Sequence, residues 1–394
     1  MKPYEAFGNR AEDLYFALLK CRREGLRLIV LKRKWNLFWR VKFRSGNREL
    51  LNIRHPLVVH SVLLELVNYG MSVVLVSARL IGVPLRKLRT VLLGDSFDNI
   101  FVRASEFLIG RDELWGTMEV PFQASENGID WEECYSNVLG VTYGNRGDLE
   151  RQFPLLKDKR YVCLHVRTGG YANDHEYSAP RNANIENYIP AIRELTDRGY
   201  VVVRLGDPAM PPLHLDNVVD YAHSKARSEK NDILLVGHCD LYIGSQTGPI
   251  DVASLFEKRI LTINCLSLSH YEWYRQGALF IPRKAVREGR VLTLKEQIDQ
   301  YLFELSGTGR MVEGVEYREN TAEEVRAAVL EFLSSPNLTE GQVAFNAYLA
   351  NKLREYFHTV RIQESLESQK IRWIARMSAV KGSICAGYLK DHWQ

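Results

Sequence analysis

The chain has no Cys-x-x-Cys pair, no Walker-type loop, no apolar run of bilayer-spanning length and little net charge. Each absence closes off a class of protein. The six cysteines, at 21, 134, 163, 239, 265 and 385, are scattered, which disfavours a zinc ribbon or a disulfide scaffold and reads as buried thiols in a reducing compartment. The least charged long stretch, residues 66–78, is 13 residues between Glu65 and Arg79. A spanning helix needs about 20, so this stretch reads as core. The N-terminus, MKPYEAFGNRAEDLY, lacks the apolar centre of a secretory signal. A net charge of +4 does not announce a nucleic-acid binder, and none is expected as a partner; a basic surface would have to come from local clustering. No strand leads into Gly-x-Gly-x-x-Gly, which disfavours a dehydrogenase.

What is present is the composition of an ordinary globular protein: 394 residues, 46% hydrophobic and 25% charged. That length predicts two domains. In the second half, YVCLHVR (161–167), YVVVRL (200–205), CDLYIG (239–244) and RILTIN (259–264) are short apolar runs rich in β-branched residues. Between them, residues 185–197 place Ile185, Tyr188, Ile189, Ile192 and Leu195 on one helical face, stopping at Gly199, and residues 247–258 carry a similar stripe. Strands alternating with helices predict a parallel, doubly wound α/β sheet. The first half reads as a less regular α/β domain: an FGN turn, a helix over 10–24, a strand over 26–31 and a helical segment over 60–69. A hinge is expected at 151–159 (RQFPLLKDK). Near the C-terminus, Thr321 and Glu324 form a capping-box pattern before a helix over 325–333, and 342–357 is a second amphipathic helix. YGNRGDL (143–149) echoes FGNRAEDL (7–14), but the second copy precedes no clear helical stripe, and the echo reads as coincidence.

Four groups of residues can carry chemistry. His165 and Arg167 stand two apart at the end of a strand and so share a face, at the sheet edge where open α/β folds bind ligands. A guanidinium fork suits phosphate oxygens; a buried histidine beside a surface arginine fits the same tripeptide. Ser245, Gln246, Thr247 and Gly248 lie between a strand and a helix, where free amides and the positive helix end favour an anion, although Ser and Thr there also serve as ordinary caps. The loop YANDHEYSAPRNANIEN (171–187) offers Asp174 and Glu176 as bases and Arg181 as a phosphate or sugar contact, or is simply a solvated loop. Asp207 ends another strand at the same edge, as a ribose contact or a turn former. Separately, the segment that begins at Lys32 and ends at Arg44 (KRKWNLFWRVKFR) holds six basic and four aromatic residues in 13 positions. This suits an anionic membrane surface or a solvated edge hairpin, and KIRWIARMSAVK (370–381) has a similar character.

Taken together, CLHVR, RNANIENYIPAIRELTDRGYVVVRLGDPAMPP, VVDYA, NDILLVG, YIGSQTGP and TIN, in that order, resemble a bacterial family of surface-polysaccharide glycosyltransferases related to the fucosyltransferase-like enzymes with an HxR donor motif. The resemblance runs over about 160–265 and more loosely to 310. It implies a GT-B architecture, in which two Rossmann-like domains face each other across a cleft: residues 1–155 on the acceptor side, 156–335 holding the nucleotide-sugar, and 336–394 as closing helices returning to the N-terminal domain. It implies that Arg167 contacts the donor diphosphate with His165 beside it, that residues 245–248 and Asn264 line the donor site, and that Gly8 and Asn9 lie on the acceptor side. It also implies that no metal or cofactor is needed. The scattered cysteines and the missing signal predict a cytoplasmic protein, and the two basic, aromatic segments make a peripheral position on the inner face of the membrane an option. Thr168-Gly169-Gly170 departs from the Arg-plus-acid continuation of fucosyltransferases, so the sugar is not assigned. A nucleotide-sugar epimerase of the same fold and a non-catalytic nucleotide-sugar-binding protein are the alternatives.

Overall fold

The computed structural model describes residues 7–29, 47–60, 63, 66, 131–169, 180–268, 270–302, 312, 314–334, 337–359 and 380–394. The chain divides into two compact units, Met1–Ile129 and Asp130–Gln394.

In the first unit, helix α1 (Phe7–Glu24) buries Ala11, Leu14, Tyr15, Leu18 and Leu19, the i, i+3/4, i+7 stripe of an amphipathic helix. It takes in the FGN tripeptide as its first turn rather than following it. The chain then enters strand β1 (Leu28–Ile29), which pairs in parallel with β2 (Val58–Val59). Leu63 and Leu66 are exposed, so the apolar stretch that starts at 66 does not begin as core.

The second unit is built on a seven-stranded parallel sheet. Its strands are β3 (Tyr161–His165), β4 (Val201–Leu205), β5 (Val218–Asp220), β6 (Leu241–Gly244), β7 (Arg259–Cys265), β8 (Leu279–Pro282) and, from the C-terminus, β12 (Ser383–Ile384). Their order is β12-β8-β7-β6-β3-β4-β5, with every neighbouring pair parallel. Counting from β3 to β8, that is the order 3-2-1-4-5-6 of a doubly wound nucleotide-binding sheet, with β12 as a seventh strand outside β8. Tyr161–Leu164 and Val201–Val203 are buried, as are Ile243, Leu261 and Ile263. That is why these strands read as unbroken apolar runs: a parallel sheet is covered on both faces. A smaller antiparallel sheet, β10 (Arg290–Val291), β9 (Lys284–Arg287), β11 (Glu316–Arg318), follows β8.

Residues 131–155, which the sequence groups with the first domain, pack into this unit. Helix α2 (Trp131–Tyr135) offers its Tyr135 carbonyl to Gln276 N at 2.8 Å. The Glu257 carboxylate accepts from the amides of Val138, Leu139 and Gly140 at 2.6, 2.7 and 2.8 Å. Helix α3 (Arg146–Gln152) is capped by the Asn145 side chain, which accepts from Gly147 N at 2.8 Å. The second GN copy therefore does start a helix, at its cap, whereas the first lies inside one. Leu149, Phe153 and Leu156 are buried, so the expected hinge at 151–159 is part of the second unit's packing.

The helices between strands are α4 (Ile189–Asp197), α5 (Glu229–His238) and α6 (Gly248–Leu255), with α7 (Leu294–Asp299) after the small sheet. Helix α8 (Ala322–Ser334) begins with the expected capping box: Thr321 N donates to Glu324 Oε2 at 2.6 Å and Glu324 N to Thr321 Oγ1 at 3.2 Å. A second such box, Thr339 with Gln342, starts α9 (Glu340–Thr359). The terminal helix α10 (Ala386–His392) takes its N-terminal charge from Glu331, which accepts from Ala386 N and Gly387 N at 2.6 and 2.9 Å.

Candidate functional site

The doubly wound order has one point where the strands change direction of succession, between β3 and β6. Crevices for nucleotides open beyond the carboxyl ends of the strands at that point. His165 is the last residue of β3 and Gly244 the last of β6, and the two are register partners. The two motifs singled out in the sequence thus meet there.

Gly244 is required by this approach. A Cβ on it would stand 2.7 Å from the His165 carbonyl oxygen and 3.3 Å from the Tyr242 hydroxyl. Beyond it the chains are stitched together: Ser245 N donates to His165 O at 3.0 Å, and Arg167 N donates to Ser245 Oγ at 2.8 Å. Thr247 stands at the N-cap of α6 without capping it. Its hydroxyl donates to Ser245 O at 3.1 Å and lies 3.0 Å from His165 Nδ1. If the Thr247 hydrogen goes to Ser245 O, Nδ1 carries the imidazole proton and Nε2 keeps its lone pair. Burial, reinforced by the charges of Arg167 and Arg204, lowers the His165 pKa to about 4. At neutral pH it is an uncharged hydrogen-bonding group and a poor base.

Arg167 follows the strand end, and its Nη1 donates to Asn182 Oδ1. The same segment is pinned by Ala183 N donating to Arg167 O at 2.8 Å, while Asn184 N donates to Glu319 Oε2 at 2.8 Å. Arg181, next to Asn182, is half-buried and so lies in the segment that returns to the Arg167 side chain. Gln246 is buried, and its Oε1 accepts from Leu266 N at 3.2 Å, tying the turn after β6 to the exit of β7. Among the described residues no acceptor meets the amides of Gln246 and Thr247, which leaves them, with the start of α6, as the part of the turn suited by its geometry to an anion.

Other expected residues have different employment. Asn264 is wholly buried, at φ +59°, in a bulge of β7. It exchanges hydrogen bonds with Asn320, Asn264 N to Oδ1 at 2.9 Å and Asn320 N to Asn264 Oδ1 at 2.7 Å, and donates to the Tyr188 hydroxyl at 3.2 Å. Its polar atoms are spent inside the protein, where they close the β7–β8 edge rather than face a ligand. The Asp207 Oδ1 accepts from Ala209 N at 2.9 Å, the short-range bond of an Asx turn. Arg204 is buried and ion-paired to Asp220 at 2.9 Å. Gly8 and Asn9 lie in the first turn of α1, in the other unit. Asp174, Glu176 and the basic segment 32–44 fall outside the described residues.

One residue that the sequence did not single out, Arg283, belongs to the site's surroundings. Arg283 follows β8 and donates through Nη2 to the Asn182 carbonyl, so Asn182 touches two arginines. Among the described residues, no group of three or more His, Cys, Asp or Glu is placed to hold a metal ion, and no helix is long and apolar enough to cross a membrane.

No known family model matches the chain. No curated protein matches it either. Among solved structures it is similar to E. coli ADP-heptose LPS heptosyltransferase II, at 16% identity over 50% of this chain and 54% of that one, with a TM-score of 0.30. It is also similar to the iron-containing dodecameric glycosyltransferase TibC of enterotoxigenic E. coli, at 13% identity over 52% and 47%, with a TM-score of 0.24. The chain spans about half the length of these proteins.

Proposed function

We propose that the protein is a glycosyltransferase that moves a sugar from a nucleoside-diphosphate sugar to a glycan or lipid-linked acceptor in surface polysaccharide synthesis. The observation that carries this reading is the meeting of His165, Arg167 and the 245–248 turn at the switch point of the parallel sheet. The leaving group of such a transfer is a nucleoside diphosphate, so negative charge grows on the bridging oxygen as the sugar–oxygen bond breaks. Arg167, the amides of Gln246 and Thr247 and the start of α6 are fixed before the reaction and can stabilise that charge without reorganising. His165, neutral and held by Thr247, presents Nε2 as an acceptor for a sugar or ribose hydroxyl. A base from the 174–176 segment is the candidate to take the acceptor's proton, and inversion is expected by fold-level analogy. The basic, aromatic segment 32–44 would hold the enzyme to an anionic membrane surface carrying the acceptor.

A panel of nucleotide-sugars tested by thermal shift identifies the donor, because a ligand bound only to the folded state raises its stability. With that donor, Arg167→Ala is expected to weaken binding by roughly ten- to a hundredfold, the worth of one charged hydrogen-bonding group, and to slow transfer further. Undiminished binding and turnover would remove Arg167 from the site and the reading with it.

A further inference from the structure

We propose that Arg283 is a second cation of the anion site, held beside Arg167 by Asn182, and that this pair makes the site favour a diphosphate over a monophosphate. The inference rests on the donor reading above and adds to it a residue far away in sequence. Asn182 uses two acceptors for two guanidiniums: its side-chain Oδ1 takes Arg167 Nη1 and its main-chain oxygen takes Arg283 Nη2. Arg283 stands at the carboxyl edge of the sheet, where its backbone N–H donates to Cys265 O at 2.9 Å. The exits of β3 and β8 are thereby joined through one residue.

The chemistry of the link matters. An amide accepts hydrogen bonds from guanidinium groups without cancelling their charge, whereas a carboxylate at 182 would neutralise one of them. Arg283 is only 5% exposed, and among the described residues its guanidinium hydrogen-bonds only to main-chain carbonyls. Its Nη1 reaches only the Tyr317 carbonyl at 3.4 Å, and its Nε is buried without a hydrogen-bond partner. Glu319 is the acidic group that acts on it, but Glu319 Oε2 already accepts from Asn184 N at 2.8 Å and Asn187 Nδ2 at 3.4 Å. Burial pulls the Arg283 pKa down, as expected for a cation whose charge is poorly compensated where it stands. Buried charges persist when something pairs them; here the second phosphate of the donor supplies that charge, with the first on Arg167.

The test is calorimetric titration of the full chain with UDP, GDP and ADP and with the corresponding monophosphates. The unaltered protein is expected to bind one diphosphate at least about tenfold more tightly than its monophosphate, a modest effect for one added charge contact. Arg283→Met should bring that ratio close to one and leave monophosphate affinity within a small factor, while Arg283→Lys should restore part of it. An unchanged ratio in Arg283→Met makes Arg283 a packing residue and overturns the inference while the donor reading stands. If Arg283→Met fails to fold, Arg283→Gln decides: it removes the charge but keeps an N–H donor for the Asn182 carbonyl, so it is expected to bring the ratio close to one without lowering Tm, and full selectivity in a folded Arg283→Gln protein overturns the inference. A chain that binds no nucleoside diphosphate overturns the donor reading and this assignment together.

Discussion

At the residue scale, the site depends on groups kept in one protonation state by their surroundings. His165 illustrates this. Its folded pKa of about 4 lies below the ordinary histidine value of 6.5, first because of burial and then because Arg167 and Arg204 repel the imidazolium. For such a group the unfolded chain binds the proton before the folded one does, so stability falls as pH drops from about 6.5 to about 4 and is unaffected above that window. Urea unfolding at a series of pH values should therefore show a decline below pH 6.5 that is shallower in His165→Asn. Parallel profiles for the two proteins would show that the histidine is not held neutral. HVR and the SQT turn could be picked out as candidates because arginine, histidine and small hydroxyl residues at strand exits have few structural uses in common. Asn264, which the resemblance places in the donor site, is wholly buried instead. An asparagine at a strand end looks like a ligand contact, but its bonds to Asn320 and Tyr188 span 56 and 76 positions, and no local pattern encodes them.

At the scale of elements, close approach decides more than composition. Strands β3 and β6 can end side by side only because residue 244 has no side chain; the atoms that a Cβ would meet are backbone at 2.7 Å and the Tyr242 hydroxyl at 3.3 Å. Gly244→Ala is expected to cost about 1–3 kcal/mol, the usual penalty of overpacking, and to weaken nucleotide binding by displacing the turn. Gly237, inside α5, is the control: a Cβ there would find the Phe256 ring at 3.5 Å, ordinary contact, so Gly237→Ala should stabilise by up to about 1 kcal/mol through helix propensity. Denaturant midpoints measure both, and a neutral Gly244→Ala would mean that the strand ends are looser than described. The long apolar strands and the capping box at Thr321 were legible in sequence because their signals are local. Strands β5 and β12, of three and two residues, are too short to show a period and exist because a neighbour offers an edge.

At the scale of the whole molecule, the C-terminus completes the sheet that carries the site. Ser383 and Ile384 pair with Leu279 and Phe280 of β8, and the Tyr388 hydroxyl donates to Pro282 O at 3.0 Å. Glu324 joins the same terminus to β9. Although burial alone would raise its pKa, His392, Lys284 and the Thr321 amide hold it at about 2. Ending the chain at residue 379 would bare β8, with the buried Leu279 and Phe280 on an open edge, and exposed apolar edges aggregate. Such a protein is expected to unfold at lower temperature and to elute as aggregates in size-exclusion chromatography. A monodisperse product of unchanged Tm would show β12 to be dispensable.

The sequence by itself determined a doubly wound parallel sheet in the second half, the strand exits that carry His165, Arg167 and residues 245–248, and the capped helices that follow. Those features follow from side-chain periodicity, β-branched runs and caps, all set by residues a few positions apart. Only the tertiary structure decided that the two exits are register partners at the switch point, that residues 131–155 belong to the second unit and that Arg283 shares Asn182 with Arg167. Arg283 and Asn182 are 101 positions apart. Their meeting is a consequence of strand order, and strand order is settled by how the whole sheet buries its two faces.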